Sequence, residues 1–253
     1  MKELIKGRIS SFQTLGTLDG PGVRFVAFSQ GCPLRCVCCH NPETWDKNGG
    51  KQYTAKEVVE RAERYKEYFG KEGGITVSGG EPLLQAEFVT EIFKQAREKG
   101  INTCLDTSGC IINESTEELL NYTDYCLLDI KYTSDREYRQ YVGCGMDKPL
   151  EFLKLLNNKK IPTRTRQVII EGLNDSTDNI GKLAEIIKKH PCIEKTELLA
   201  FRKLCTSKYQ KLSIHFPLAD TPETPQFKIK LLEEKLNGII KRDVINSASD
   251  NTD

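Results

Sequence analysis

Short apolar runs alternate with amphipathic helical patterns along most of this chain, and this alternation constrains its fold more than any other feature. Strands that alternate with helices predict a parallel sheet with right-handed crossovers. A closed eight-unit barrel would need about two more units than this chain offers. The predicted fold class is therefore α/β, with a partial (β/α)6 barrel. The runs with the length and composition of strands are 24–29, 75–78, 102–106, 125–129, 164–170 and 196–200.

Two segments between these runs match a capping box, in which a hydroxyl and a glutamate satisfy free backbone N–H groups at the start of a helix. One joins Thr54 to Glu57, and the other joins Ser115 to Glu118. Both segments precede apolar residues at helical spacing. We therefore expect a helix to begin at each of them.

The length and composition are those of a globular protein with a full core, since 38% of the 253 residues are hydrophobic and 29% are charged. We expect a single domain over residues 1–245 and a polar C-terminal tail over residues 246–253. The net charge of +1 provides no global field that would attract nucleic acid or an anionic membrane. The charged N-terminal segment does not resemble a signal peptide, and no apolar run is long enough to span a bilayer. The sequence predicts a cytoplasmic protein that binds neither nucleic acid nor membranes.

Four of the ten cysteines lie close together, at Cys32, Cys36, Cys38 and Cys39. A disulfide framework is typical of short secreted chains with dispersed cysteine pairs, so it does not explain this group. A dense group in a cytoplasmic protein indicates metal or redox chemistry instead. Two such interpretations use His40: a haem attachment site over Cys36 to His40, and a zinc site with three cysteines. Both are weak, because covalent haem belongs to exported proteins and because adjacent Cys39 and His40 do not easily reach one ion.

The third interpretation is a [4Fe–4S] cluster held by Cys32, Cys36 and Cys39. Such a cluster normally takes four thiolates, and this spacing offers three, so one iron keeps an open position. An open iron can bind a chelating small molecule and pass it an electron. Cys38 is less suited as a fourth ligand because its neighbour Cys39 already binds, and we expect it to pack beneath the loop.

Polar residues follow three of the predicted strands, at the edge where parallel strands place reacting groups. Asp129 and Lys131 flank Ile130, so both side chains point to one side of the strand end and would suit an ammonium and a carboxylate on one ligand. A surface ion pair is the alternative. The other strand-end residues are the pair Gly79 and Gly80, which would let a ligand approach the backbone, with Glu81, and the oxygen donors Asp106 and Thr107.

With these motifs the chain resembles the radical S-adenosylmethionine superfamily, and within it the activating enzymes of glycyl radical enzymes, above all the pyruvate formate-lyase type. The three cysteines alone define only the superfamily, whereas the motifs on either side of them are more specific. The segments that carry the resemblance are Gly7-Arg-Ile-Ser-Ser, Asp19-Gly-Pro-Gly-Val-Arg24, Gln30-Gly-Cys32, Cys39-His-Asn-Pro, Thr44-Trp45, Ser78-Gly-Gly-Glu-Pro82, Asp106-Thr107 and Leu128-Asp-Ile-Lys131.

The resemblance implies an enzyme with a [4Fe–4S] cluster and S-adenosylmethionine as cofactors. In that family the reduced cluster cleaves S-adenosylmethionine, and the 5′-deoxyadenosyl radical takes a hydrogen atom from a glycine of a partner enzyme. The implied partners are pyruvate formate-lyase or a related glycyl radical enzyme, and reduced flavodoxin or ferredoxin as electron donor. The alternatives are a radical S-adenosylmethionine enzyme with a different substrate and a zinc-stabilised binding module.

The resemblance also assigns residues. It places Asp19 near the substrate glycine. It implies a monovalent cation bound by Asp106, Thr107, Leu127 and Asp129. Residues implied to contact S-adenosylmethionine or the cluster are Cys38, Cys39, His40, Gly79, Gly80, Glu81, Asp129, Ile130, Lys131, Arg166 and Arg202.

The chain departs from the family pattern at three positions. Arg202 replaces a histidine that contacts the cofactor, and Cys205 replaces a glycine. Cys38 stands where an aromatic residue is usual. No cysteine lies between Cys39 and Cys104, so the ferredoxin-like insertion of other activating enzymes is absent there. This short architecture favours the pyruvate formate-lyase type.

Overall fold

The computed structural model describes the backbone of residues 5–249 and the side chains of residues 5–241. The strands in this range are β1 (Lys6–Gly16), β2 (Arg24–Ser29), β3 (Lys51–Thr54), β4 (Gly74–Gly79), β5 (Asn102–Thr107), β6 (Tyr125–Asp129), β7 (Thr163–Ile169) and β8 (Ile193–Ala200). The α-helices are α1 (Ala55–Glu63), α2 (Ala86–Glu98), α3 (Glu114–Leu120), α4 (Asp135–Tyr141), α5 (Asp147–Asn158), α6 (Thr177–Lys188), α7 (Thr206–Lys211) and α8 (Gln226–Ser249).

These strands form one sheet in the order β3-β1-β2-β4-β5-β6-β7-β8. β2 and β4 to β8 pair in parallel, each with the next in this order. β1 pairs antiparallel with β2, and β3 pairs antiparallel with β1. Since β3 and β8 are the edges, the sheet is open. The predicted fold class, α/β with a partial (β/α)6 barrel, is confirmed, and the six parallel strands are the six predicted runs.

β1 and β3 were not among the predicted strands. Most of β1 is exposed or half-buried, and its pairing with β2 is interrupted by register shifts, so its sequence does not alternate regularly. β3 has four residues, none of them fully buried. Neither strand needs an apolar sequence, because both lie at the outer, antiparallel side of the sheet, where one face meets solvent.

The two predicted helix starts have different outcomes. The capping box at Thr54 is confirmed: its backbone N–H donates to Glu57 at 2.7 Å, and its hydroxyl accepts from the Glu57 N–H at 3.2 Å. The second prediction was wrong, because α3 begins one residue earlier than Ser115 and is capped by Asn113. The Asn113 side chain accepts from the Thr116 N–H at 2.9 Å. Asparagine and serine are comparable N-caps, so position decides between them.

The C-terminal helix α8 packs against α6 and β8 through the buried side chains of Ile229, Leu232 and Leu236. It continues to Ser249, so the first part of the predicted polar tail is helical, and residues 250–253 lie outside the described residues. The division into a domain over residues 1–245 and a tail stays a prediction. Among the described residues, no helix is long and apolar enough to cross a bilayer.

Candidate active site

A cavity of about 490 Å³ lies at the carboxyl ends of the parallel strands. Its volume is in the range of small-molecule sites, and parallel strands bring residues distant in sequence to this edge. The predicted site residues that line it are Asp19, Cys32, Cys36, Cys38, Cys39, His40, Gly79, Gly80, Glu81, Asp106, Thr107, Asp129, Lys131 and Arg166.

One wall of the cavity is the cluster loop, residues 30–41, which follows β2. Its backbone is tied to the end of α4, where the Val37 N–H donates to the Tyr141 carbonyl at 2.9 Å. A second attachment comes from α7, where the Tyr209 hydroxyl donates to the Cys39 carbonyl at 3.1 Å. These bonds hold the loop between two elements that lie far from it in sequence.

The thiols of Cys32, Cys36 and Cys39 fit an iron–sulfur cluster. Burial raises the pKa of each thiol, to about 11 for Cys32, so binding iron must displace their protons. A [4Fe–4S] cluster takes one thiolate on each iron, so these three cysteines would bind three of its four irons.

Arg166 joins two carboxylates on the opposite wall. Its guanidinium contacts Asp106 through Nη2 and donates through Nε to Asp129 Oδ1 at 3.1 Å. Lys131 Nζ donates to the other Asp129 oxygen at 2.9 Å. Burial raises the pKa of Asp106, and Arg166 offsets this only in part. Burial also acts on Asp129, but Arg166 and Lys131 outweigh it and hold its pKa below the usual value.

Two of the four predicted monovalent-cation ligands, Asp106 and Asp129, contact this same arginine. The guanidinium of Arg166 lies between Asp106 and Asp129, where it compensates the charge that a cation would compensate. The Thr107 hydroxyl donates to Glu81 at 2.5 Å, and Leu127 is completely buried. A bound cation would require Arg166 to release part of its ion pair, and the cation site stays a prediction.

Glu81 is a buried carboxylate with neutral partners only. It is 1% exposed, and it accepts from the Thr107 hydroxyl, from the Ser108 hydroxyl and N–H, and from the Leu83 N–H. No Lys, Arg or His among the described residues forms an ion pair with it. A buried anion without a counter-ion at a cavity wall is suited to bind the ammonium group of a ligand.

The glycine pair after β4 has a structural reason that differs from the predicted one. A Cβ on Gly79 would lie 2.6 Å from the Ser29 backbone nitrogen, and a Cβ on Gly80 would lie 2.2 Å from the Gly31 carbonyl oxygen. The glycines therefore allow the end of β4 to approach the start of the cluster loop. Both also line the cavity, so their role in cofactor binding stays a prediction.

Three predicted residues do not line the cavity. Ile130 and Leu127 are buried behind it. The guanidinium of Arg202 contacts the Glu223 carboxylate at 3.4 Å and the Thr224 carbonyl at 3.2 Å. Only the Arg202 carbonyl contacts the cluster loop, through the His40 ring at 2.9 Å.

The structure adds site residues that the sequence argument did not assign. The Ser78 hydroxyl donates to Asp106 at 2.7 Å, and Ser108 binds Glu81 as described above. Ser78 belongs to a quoted motif and Ser108 directly follows another, so the sequence pointed to these segments but not to the contacts of the two serines. Glu197 on β8 lies opposite Arg166 in the sheet register and also lines the cavity, but no sequence pattern distinguishes it.

Comparison with known proteins agrees with this site. A protein-family model described as a 4Fe-4S single cluster domain matches residues 18–146. The pyruvate formate-lyase-activating enzyme of Clostridium pasteurianum is 44% identical over 239 residues, which cover 94% of this chain and 100% of that protein. The chain belongs to the pyruvate formate-lyase-activating enzyme family. The resemblance and the enzyme type predicted from the motifs are therefore confirmed.

Solved structures extend this family assignment to the fold. Streptococcus suis SuiB, solved bound to S-adenosylmethionine, has a TM-score of 0.63 at 19% identity over 84% of this chain and 46% of that chain. A radical SAM methyltransferase from Sphaerobacter thermophilus has a TM-score of 0.61 at 17% identity over 85% of this chain and 64% of that chain. At these identities the likeness shows a shared fold. With membership of the activating-enzyme family, it confirms the predicted fold type and the predicted [4Fe–4S] and S-adenosylmethionine cofactors.

Proposed function

We propose that this protein activates a glycyl radical enzyme, pyruvate formate-lyase or a relative, by removing a hydrogen atom from one glycine of that partner. One observation carries the proposal. A single cavity joins three cluster-type cysteines to a wall of paired charges, in a chain 44% identical over nearly its whole length to an activating enzyme.

Cys32, Cys36 and Cys39 would hold the [4Fe–4S] cluster and leave one iron open. When bound, the cluster supplies the electron that splits S-adenosylmethionine into methionine and the 5′-deoxyadenosyl radical, which takes the glycine hydrogen. Reduced flavodoxin or ferredoxin would deliver that electron. The protein binds the substrates, orients them and excludes water.

The charged wall explains how the methionine end of S-adenosylmethionine would be held. The ammonium group matches Glu81, which is buried and has only neutral donors. The carboxylate group matches Arg166 and Lys131, which would exchange part of their contact with Asp129 for the ligand. The ammonium group would give Glu81 a counter-ion, and Asp129 would keep part of its contact with the two cations.

The remaining predicted residues would surround the adenosine part and the substrate peptide. Cys38, His40, Gly79 and Gly80 line the cavity beside the cluster cysteines and would contact the nucleoside. Asp19 lies at the same cavity, before β2, and would contact the glycine loop of the partner. Other residues would act indirectly: Ile130 through packing, and Arg202 through its carbonyl bond to His40.

The test begins with protein reconstituted with iron and sulfide under anaerobic conditions, reduced, and mixed with S-adenosylmethionine. We expect 5′-deoxyadenosine by chromatography and, after addition of pyruvate formate-lyase, a glycyl doublet by electron paramagnetic resonance. The Cys36→Ser variant is the control for reagents. A preparation that holds zinc without labile sulfide, and forms no 5′-deoxyadenosine, would contradict the proposal.

A second candidate keeps the chemistry and changes the substrate. It is favoured by the departure at Cys38, which lines the cavity where the family pattern has an aromatic residue. Formation of 5′-deoxyadenosine without a glycyl doublet on any glycyl radical enzyme tested would support a small-molecule or other protein substrate instead.

A further inference from the structure

Trp45 is the only tryptophan of the chain and lies just after the cluster loop. It follows a short helical turn over Pro42–Thr44, where its backbone N–H donates to the Pro42 carbonyl at 3.1 Å. Its half-buried side chain packs against an apolar cluster that contains Tyr209 and Cys205. The turn and this packing place the indole ring against the cluster loop.

Two contacts fix the ring relative to the loop. The guanidinium carbon of Arg35 lies 4.9 Å from the centre of the Trp45 ring, and Arg35 Nη1 donates to the Cys32 carbonyl at 3.0 Å. The Tyr209 ring is nearly perpendicular to the indole, with centroids 5.9 Å apart, and its hydroxyl donates to the Cys39 carbonyl. The indole therefore contacts two side chains that each bind the backbone of a cluster cysteine.

The indole N–H of Trp45 donates to the sulfur of Cys39. This N–H can only donate, so it needs an acceptor where the ring is packed. The same sulfur accepts the backbone N–H of Asn41, two residues further along, as the Cys32 sulfur accepts that of Leu34. The backbone donors belong to the turns of the loop, whereas the indole is a separate side chain that reaches the sulfur.

We propose that the Trp45 indole N–H remains hydrogen-bonded to the Cys39 sulfur when that sulfur binds the [4Fe–4S] cluster, and that this bond raises the reduction potential of the cluster. Hydrogen bonds to the sulfurs are one of the main controls of the potential. One-electron reduction adds negative charge to the cluster and its thiolates, so a donor to sulfur stabilises the reduced form more than the oxidised form. The proposal rests on the proposed function only through the presence of the cluster.

Because the chain has one tryptophan, an analogue supplied in its place changes position 45 alone. The experiment replaces tryptophan by benzothienylalanine, in which a sulfur atom stands where the indole has its N–H, so the ring keeps its shape and loses the donor. A redox titration followed by electron paramagnetic resonance gives the midpoint potential of the reconstituted protein. We expect the ratio of reduced to oxidised cluster at a fixed potential to fall about tenfold, equivalent to about 59 mV for one electron.

Tyr209→Phe is the matched control. It keeps the ring that packs against Trp45 and removes a hydrogen bond to the same cysteine, but at the carbonyl rather than at the sulfur. Its ratio of reduced to oxidised cluster should therefore differ from that of wild type by less than about twofold.

Two further measurements leave the packing of the ring unchanged. In protein labelled with ¹⁵N at the indole, electron–nuclear double resonance of the reduced cluster should show one coupled nitrogen, together with a proton that is lost in D₂O. Fluorinated tryptophan, whose N–H is a stronger donor, should shift the midpoint potential in the opposite direction to benzothienylalanine.

Equal midpoint potentials with tryptophan and with benzothienylalanine would overturn the proposal, and so would a reduced cluster without coupling to the indole nitrogen. A shift in Tyr209→Phe as large as that with the analogue would also overturn it, because the position of the loop rather than the N–H would then be the cause. A wild type that binds no cluster would instead refute the proposed function, so the two failures can be distinguished.

Discussion

Two buried arginines lie near opposite ends of the parallel strands, and their guanidinium groups contact different kinds of acceptor. Arg24 begins β2 and is fully buried. Its guanidinium donates to neutral acceptors, among them the Thr76 hydroxyl at 3.0 Å, the Asn102 side-chain oxygen at 2.8 Å and the Ile75 carbonyl at 2.8 Å. Arg166 on β7 contacts two carboxylates at the wall of the open cavity.

This difference separates a structural role from a functional one. Burial lowers the pKa of Arg24, and few nearby charges offset this effect. The hydrogen bonds from its guanidinium to neutral acceptors are fixed parts of the fold. For Arg166 burial acts in the same direction, but Asp106 and Asp129 outweigh it and raise its pKa. At the wall of an open cavity such an ion pair can be rearranged when a charged ligand binds. The amino ends of the strands are therefore closed, and the carboxyl ends form the site.

The largest expected effect comes from a comparison of two cysteines, one near each end of the parallel strands. Cys36 lies on the cluster loop, whereas Cys104 is fully buried and lies next to Gly20, in the loop before Arg24. We expect Cys36→Ser to lose the cluster and all S-adenosylmethionine cleavage, because a thiolate ligand is gone. Cys104→Ser should keep both. Iron and sulfide analysis with a 5′-deoxyadenosine assay measures this, and a cluster lost equally from both variants would contradict the comparison.

The arginines themselves give the next largest effect. Arg24→Met should lower the free energy of unfolding by about 3 kcal/mol or more, because several buried acceptors lose their donor. Arg166→Met should also lower stability, because Asp106 loses its buried counter-ion, but it should in addition reduce S-adenosylmethionine cleavage by about a hundredfold. Chemical denaturation and single-turnover assays on both variants test this. The comparison fails if folded Arg24→Met loses cleavage activity as far as Arg166→Met does.

A smaller effect is expected at Thr76, which connects Arg24 at the amino ends of the strands to Asp19 at the cavity. The Thr76 hydroxyl accepts from Arg24 and donates to the Asp19 carbonyl at 2.7 Å. Thr76→Val should cost about 1 kcal/mol and raise KM for the partner enzyme several-fold while kcat changes less. Thr103→Val is the control, because its hydroxyl binds Tyr122 and has no contact with Asp19. Equal changes in KM in both variants would contradict the idea that Thr76 connects Arg24 to Asp19.

The smallest effect concerns pH. Burial raises the pKa of Asp19, and Arg166 opposes this in part. A raised folded pKa means that ionising Asp19 costs stability, so wild type should lose stability relative to Asp19→Asn as pH rises from about 4 towards neutral. Below that range the carboxyl is protonated in both states, and the difference should be constant. Thermal unfolding across this range measures it, and parallel curves would show that Asp19 is not buried as described.

Local sequence predicted the parallel strands and the cluster loop for physical reasons. The four central parallel strands β2, β4, β5 and β6 are buried along nearly all of their length, as is typical of parallel strands. β7 alternates between buried and half-buried residues, and β8 is mostly exposed or half-buried. Three cysteines within eight positions reach one cluster whatever the rest of the fold does. The exposed strands β1 and β3 carried no such signal. The helix start at Glu114 was missed because Asn113 and Ser115, two residues apart, could both serve as N-cap.

The chain by itself determined which groups gather at the carboxyl ends of the strands, because strand order and parallel direction follow from the alternation of strands and helices. Only the tertiary structure decided how those groups pair. Arg166 lies between Asp106 and Asp129, Glu81 has neutral partners, and the Tyr132 hydroxyl has none among the described residues. These contacts join residues far apart in sequence, and their distances depend on the curvature of the sheet and on the path of each loop.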